Sequence, residues 1–171
     1  MAQTFFRRAA VPPDAGPRIE TLRHTLVEAR KGTDERALIE ALGWLAFLLT
    51  MAEQEAEAAP LAEEALALSR RIGDRATEID GLLQLGTTRH YLGERALAVR
   101  LFHEGLALVE ATGLRAQENF LQHHLGRCLV ELGRIDEARA AFETALVLRK
   151  ALGEKRFIDS TQAALDEIAS R

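Results

Sequence analysis

The amino-acid sequence predicts an all-α protein, built as a solenoid of antiparallel helix pairs. Two observations carry this prediction. Leucine and alanine dominate, aromatic residues make up 5% of the chain and prolines number only 4, a composition that favours helices over strands. A shift of 40 residues also superposes Gly73, Gly113 and Gly153 without a gap, so one structural unit recurs along the chain.

The region before the repeats is predicted to hold one helix. Residues 1–16 are expected to form a flexible segment, with prolines and a glycine near its end. Residues 17–31 carry Ile19, Leu22 and Leu26 at helical spacing, which predicts a helix with one apolar face.

The repeats are three copies of one unit, at about residues 34–73, 74–113 and 114–153. The positions that keep their residue type in all three copies include Leu45, Leu85 and Leu125, Ala58, Ala98 and Ala138, and Leu66, Leu106 and Leu146. Because one helical pair cannot bury its apolar face alone, the copies are expected to stack into a continuous core.

Each unit is predicted to contain two helices. The first helices are expected at residues 34–52, 74–92 and 114–132. The second helices are expected at residues 55–71, 95–112 and 135–152, each closed by one of the three repeated glycines. Phe102 and Phe142, on the second helices, are expected to fill the space between successive pairs.

The end of the chain differs from the repeats. Residues 155–170 carry Phe157 and Ile168 on one helical face and acidic residues such as Asp166 on the other. A helix that is polar on its outer face caps an open stack. No linker is visible, so residues 17–171 are predicted to form one repeat domain.

These residues resemble the tetratricopeptide repeat (TPR) family. The residues that carry the resemblance are Leu85-Gly86 with Ala98, Phe102 and Gly105, then Leu125-Gly126 with Ala138, Phe142 and Ala145, and more weakly Leu45-Ala46 with Ala58, Ala62 and Ala65. The unit length resembles the longer bacterial and kinesin-light-chain-like variant. The resemblance implies a right-handed superhelix whose first helices line a concave groove for a protein or peptide.

By that resemblance, the partner-binding side chains lie on the first helices. The candidates are Trp44, Phe47, Met51, Gln84, Thr87, His90, Tyr91, Phe120, His123, His124 and Arg127. Aromatic side chains would anchor the partner and Arg127 would pair with a carboxylate. Trp44 and Phe47 have an alternative interpretation, in which they pack under the preceding helix, residues 17–31.

Other kinds of site are not expected. A subclass of these repeats clamps a C-terminal carboxylate, but none of the matching positions holds a clamp residue; they are Gly43, Phe47, Gln84, Phe120 and His124. His124 and Cys128 lie one turn apart, and His90 could approach them, yet zinc needs three or four converging ligands. Nothing activates Cys128 as a nucleophile, and it is expected in the core. We therefore predict no metal, no cofactor and no enzymatic activity.

Composition restricts the partners and the compartment. A net charge of −4 argues against nucleic acid, and no apolar run is long enough for a membrane span. A single cysteine and the lack of a signal-peptide pattern predict a cytoplasmic protein, and the excess of arginine over lysine is typical of bacteria.

The sequence therefore predicts a non-catalytic adaptor or scaffold that binds a protein or peptide. Two alternatives remain: a bacterial regulatory sensor for a short signalling peptide or small ligand, and a self-assembling module. Phe5 and Phe6, beside Arg7 and Arg8, leave a homo-oligomer open, because they could pack on the first helix, fill the groove of another copy or be disordered.

Overall fold

A computed structural model describes residues 11–170, which form eight α-helices and no strand. The helices are α1 (Ala15–Lys31), α2 (Glu35–Met51), α3 (Glu55–Ile72), α4 (Arg75–Tyr91), α5 (Arg95–Thr112), α6 (Glu118–Glu131), α7 (Ile135–Leu152) and α8 (Lys155–Ala169). The predicted all-α architecture is confirmed. Residues 1–10, on which most of the predicted flexible segment falls, lie outside the described residues.

Each helix packs mainly on its neighbours along the chain, as expected of a solenoid. Beyond these neighbours, α2 contacts α4 and α4 contacts α6, whereas the second helices α3, α5 and α7 make no comparable contact with one another within residues 11–170. The first helices therefore lie closer together than the second helices. This difference puts α2, α4 and α6 on the concave side of the stack.

The repeated glycines close the second helices as predicted. Gly73, Gly113 and Gly153 follow α3, α5 and α7 and adopt left-handed φ angles of 71°, 73° and 75°. Side chains other than glycine rarely adopt this conformation, so the helices end at the same point of each unit.

Close packing inside the second and third helical pairs depends on a glycine opposite a phenylalanine. A Cβ atom at Gly86 would lie 2.5 Å from Cε1 of Phe102, and one at Gly126 would lie 2.8 Å from Cε1 of Phe142. Both phenylalanines are fully buried. The ring of Phe102 also lies 6.1 Å from that of His124 on the next pair, so the prediction that it fills the space between pairs is confirmed.

Helix α6 begins four residues later than the repeat predicts. At the start of α2 and α4, the carboxylates of Asp34 and Asp74 accept backbone hydrogen bonds and cap the helix. Leu114 occupies the equivalent position and has no acceptor, and the helix starts at Glu118. A smaller difference concerns α1, which begins at Ala15 rather than Pro17.

Candidate partner-binding surface

The concave face presents fewer of the predicted binding residues than the sequence suggests. Trp44 and Phe47 are exposed. His90, His123 and Arg127 are buried. The remaining candidates are partly exposed: Met51, Gln84, Thr87, Tyr91, Phe120 and His124.

Trp44 and Phe47 form an exposed aromatic pair, which we call the aromatic patch. Trp44 is 51% exposed and Phe47 is 40% exposed. Their ring centroids lie 6.0 Å apart in an edge-to-face arrangement with an interplanar angle of 86°. Both rings therefore face solvent and are not buried under α1. Exposed aromatic rings held at a fixed angle are suited to anchor a partner.

A buried hydroxyl pair joins the two helices on which this surface is built. The Oγ1 atoms of Thr50 on α2 and Thr88 on α4 lie 2.9 Å apart. Nε2 of Gln84 donates to both oxygens at 3.3 Å. The position of α4 relative to α2, and with it the surroundings of the aromatic patch, is therefore set by directional bonds as well as by apolar packing.

Arg127 has an internal role that the sequence did not reveal. The Arg127 side chain is buried, and its Nη1 atom donates to the hydroxyl of Tyr91 at 3.1 Å. Cζ of the guanidinium lies 5.5 Å from the centre of the Tyr91 ring. Nearby, Nε2 of His90 lies 3.2 Å from Oε1 of Glu131, and the other carboxylate oxygen, Oε2, accepts a hydrogen bond from Nε of Arg95. These contacts link α4 to α6. Arg127 is thus buried against Tyr91, so it is a poor choice for a surface substitution, and its role in partner binding stays a prediction.

The buried guanidinium of Arg149 connects α6, α7 and α8, a set of contacts that the 40-residue repeat does not reveal. Nε of Arg149 donates to Oδ1 of Asn119 at 3.1 Å, and Nη1 donates to Oγ1 of Thr161 at 2.6 Å and to the carbonyl of Phe157 at 3.1 Å. The guanidinium lies 5.4 Å and 5.2 Å from the ring centres of Phe120 and Phe157. Burial lowers the pKa of Arg149 to about 10, opposed by Glu154, so the side chain is charged at neutral pH.

The environment of His123 and His124 favours the neutral form of both imidazole rings. Burial holds the pKa of His123 well below its usual value, and the positive charges of Arg149 and Arg127 lower it further. The pKa of His124 is lowered for the same reasons, with burial again the main cause. Nδ1 of His123 lies 3.2 Å from the hydroxyl of Thr161. Protonation of either ring would place a third positive charge beside two buried arginines.

We expect the free energy of unfolding to fall as the pH decreases below about 6.5. In the unfolded chain His123 and His124 bind protons at the ordinary histidine pKa, whereas folding lowers the pKa of both, so stability is lost at up to about 1.4 kcal/mol per pH unit for each of the two. Urea unfolding at pH 7.5, 6.5 and 5.5 measures this slope. A His123→Gln/His124→Gln variant is expected to lose it, and an exposed-site variant, His24→Gln, to keep it. Equal stability at all three pH values would contradict the assignment.

Cys128 is a core residue, as the sequence predicts. Its side chain is fully buried, and burial raises the pKa of the thiol to about 12, with Glu131 adding to this effect. The thiol is therefore protonated at neutral pH and is not an activated nucleophile. Within residues 11–170, no group of three or more histidine, cysteine, aspartate or glutamate side chains is placed to hold a metal ion.

Exposed ion pairs join α1 to α3 and α3 to α5. Arg23 on α1 pairs with Glu57 on α3 at 2.8 Å, and Arg70 on α3 pairs with Glu104 on α5. These side chains are largely exposed, and such pairs contribute little to stability individually. None of the helices that the structure describes is both long and apolar enough to cross a bilayer.

Comparisons with known proteins identify the fold. No family model and no curated protein matches the sequence. Among solved structures, a protein of Podosopora anserina, described as a kinesin light chain with nearly identical TPR-like repeats, is 19% identical. That match covers 91% of this chain and 78% of the other, with a TM-score of 0.71. BtubC (BKLC) from P. vanneervenii is 18% identical over 92% of this chain and 66% of the other, with a TM-score of 0.77. The chain thus has the TPR-like α-solenoid fold that its repeats indicated.

Proposed function

We propose that this chain is a non-catalytic scaffold that binds a protein or peptide on its concave face, with the aromatic patch as the anchor. The observation that carries the proposal is the exposure of Trp44 and Phe47 on a rigid first helix. The rest of α2 shows that this exposure is selective, because its apolar residues Leu42, Leu45, Leu48 and Leu49 are all buried.

The energetics of binding agree with this arrangement. Tryptophan and other large aromatic residues are enriched among the few residues that dominate the affinity of protein interfaces. The bonds between α2 and α4 already order this part of the surface, so little conformational entropy is lost when a partner binds. A partner that covers both rings therefore gains apolar burial without a large ordering cost.

The decisive experiment is affinity capture from an extract of the source organism, followed by identification of the bound proteins. We expect a partner that is retained by the natural chain and lost by the Trp44→Ala/Phe47→Ala variant. Both replaced side chains are exposed, so circular dichroism should show an unchanged helical fold.

The matched control replaces two exposed valines outside the aromatic patch. Val27 on α1 and Val147 on α7 are 52% and 68% exposed, and the Val27→Ala/Val147→Ala variant should retain the partner. Equal capture by both variants and the natural chain would contradict the proposal. Loss in both variants would show that capture does not depend specifically on the aromatic patch, which also contradicts the proposal.

A further inference from the structure

The aromatic patch is bordered by carboxylates. Glu40 is exposed and lies one helical turn before Trp44, so the two side chains are neighbours on α2. Asp80 occupies the equivalent position one repeat later, on α4, and is also exposed. Helices in contact lie about 8–10 Å apart, so the two carboxylates are on adjacent helices of the same face. The chain therefore places one negative charge beside the exposed aromatic rings and a second at the equivalent position of the adjacent helix.

The positive charges of the same helices are already engaged. The arginines of α2, α4 and α6 each contact an acidic group or a hydroxyl: Arg36 with Asp74, Arg75 with Glu78, Arg89 with Glu63 and Glu94, and Arg127 with Tyr91. Glu40, in contrast, forms no ion pair with any residue that the structure describes. Arg36, Arg75 and Arg89 are thus paired with carboxylates, whereas the Glu40 carboxylate keeps its charge beside the aromatic patch.

The environment of Asp80 makes a positively charged partner more favourable. Although the Asp80 residue is open to solvent, partial burial of its carboxyl raises the pKa of that group, a hydrogen bond from Gln117 opposes this, and the charge of Asp74 adds to the increase. An incoming cation would stabilise the ionised Asp80 carboxylate and offset its repulsion from Asp74. It would also interact with the face of the Trp44 ring, since tryptophan is the best aromatic partner for a cation. Acidic segments would be repelled by the same groups.

We propose that the partner of this surface is a protein segment in which an aromatic side chain is followed within a few residues by arginine or lysine. The aromatic side chain packs on Trp44 and Phe47, and the basic side chain lies between Glu40 and Asp80. This inference rests on the proposed binding function, and it adds the chemistry of the partner.

The test uses Trp44, the only tryptophan of the chain, as a fluorescent reporter. The full chain is titrated with three blocked octapeptides. The first carries two phenylalanines followed by two arginines, the second has glutamates in place of the arginines, and the third has alanines in place of the phenylalanines. We expect a saturable change in emission with the first peptide, and at least a tenfold weaker affinity for each of the other two at low salt.

Charge variants of the protein complete the test. Glu40→Gln/Asp80→Asn should weaken binding of the arginine peptide about three- to tenfold and reduce the preference over the glutamate peptide. The control Asp136→Asn/Glu143→Gln removes two exposed carboxylates from α7 and should bind like the natural chain. A preference for the glutamate peptide, or equal binding of both, would overturn the proposal. That result would leave the capture experiment with Trp44→Ala/Phe47→Ala unaffected, so the two proposals fail separately.

One further variant identifies a competing occupant. Residues 1–10, outside the described residues, contain Phe5 and Phe6 followed by Arg7 and Arg8, which is the same chemistry. If deletion of residues 1–10 alone shifts the emission of Trp44 to longer wavelength, the occupant is the chain's own N-terminal segment and an external partner is excluded. Unchanged emission in the deletion variant, together with the expected peptide preference, supports the external partner.

Discussion

Replacing Phe142 with alanine is expected to lower the free energy of unfolding by about 3–5 kcal/mol. Phe142 is fully buried, and its ring lies so close to Gly126 that a Cβ atom there would come within 2.8 Å of Cε1. The ring centroid is also 5.4 Å from that of His123. Truncation leaves a cavity between α6 and α7 that neither helix can fill. Urea unfolding monitored by circular dichroism measures the change.

A control on the same helix separates the loss of core packing from a general effect on α7. Val147 is largely exposed, so Val147→Ala should change the free energy of unfolding by no more than about 0.5 kcal/mol. A reciprocal variant, Gly126→Ala, should destabilise by about 1–3 kcal/mol even though alanine is the better helix former, because the new methyl group meets the Phe142 ring. A loss below about 1 kcal/mol for Phe142→Ala would contradict the assignment of this ring as the core of the pair.

Removing the buried guanidinium by Arg149→Ala is expected to lower the free energy of unfolding by about 3 kcal/mol and to loosen α8. Two losses destabilise the variant: Oδ1 of Asn119 loses its donor in a buried site, and the rings of Phe120 and Phe157 lose the guanidinium that packs against both. The removal of a buried charge offsets part of this cost. Hydrogen exchange resolved by segment is the appropriate measurement, because α8 should exchange faster than α2 or α4 in the variant.

The neighbouring exposed side chain provides the control. Lys150→Ala, on the same helix, should leave both the free energy of unfolding and the exchange of α8 unchanged within error. If Arg149→Ala leaves the exchange of α8 as it is in the natural chain, the guanidinium does not hold α8 to α7.

The fold could be predicted from the sequence because its determinants repeat. The second helices at residues 95–112 and 135–152 have the bounds that the pattern predicted, since Gly113 and Gly153 end them. The start of α6 could not be predicted from the period alone. The period predicts that a helix is present in this part of the repeat, but it does not predict the capping residue. Leu114 stands where α2 and α4 have the capping residues Asp34 and Asp74.

The candidate site was less predictable, because exposure depends on contacts between units. Trp44, Gln84 and His124 occupy equivalent positions, yet Trp44 is half exposed, while Gln84 bonds to buried hydroxyls and Nδ1 of His124 is buried. Arg127 turns toward Tyr91 on the preceding repeat. The Arg149 contacts join residues that do not follow the 40-residue period, so no comparison of the sequence with itself could reveal them.

The chain of neighbour-to-neighbour contacts also makes the molecule elastic. Because each helix is held mainly by the helices next to it in sequence, a tension applied between α1 and α8 passes through every interface in series. A few degrees of rotation at each interface then add up to a change in length of the whole stack without breaking any single core. For a partner that spans several repeats, such an extension would change the spacing between its contact points.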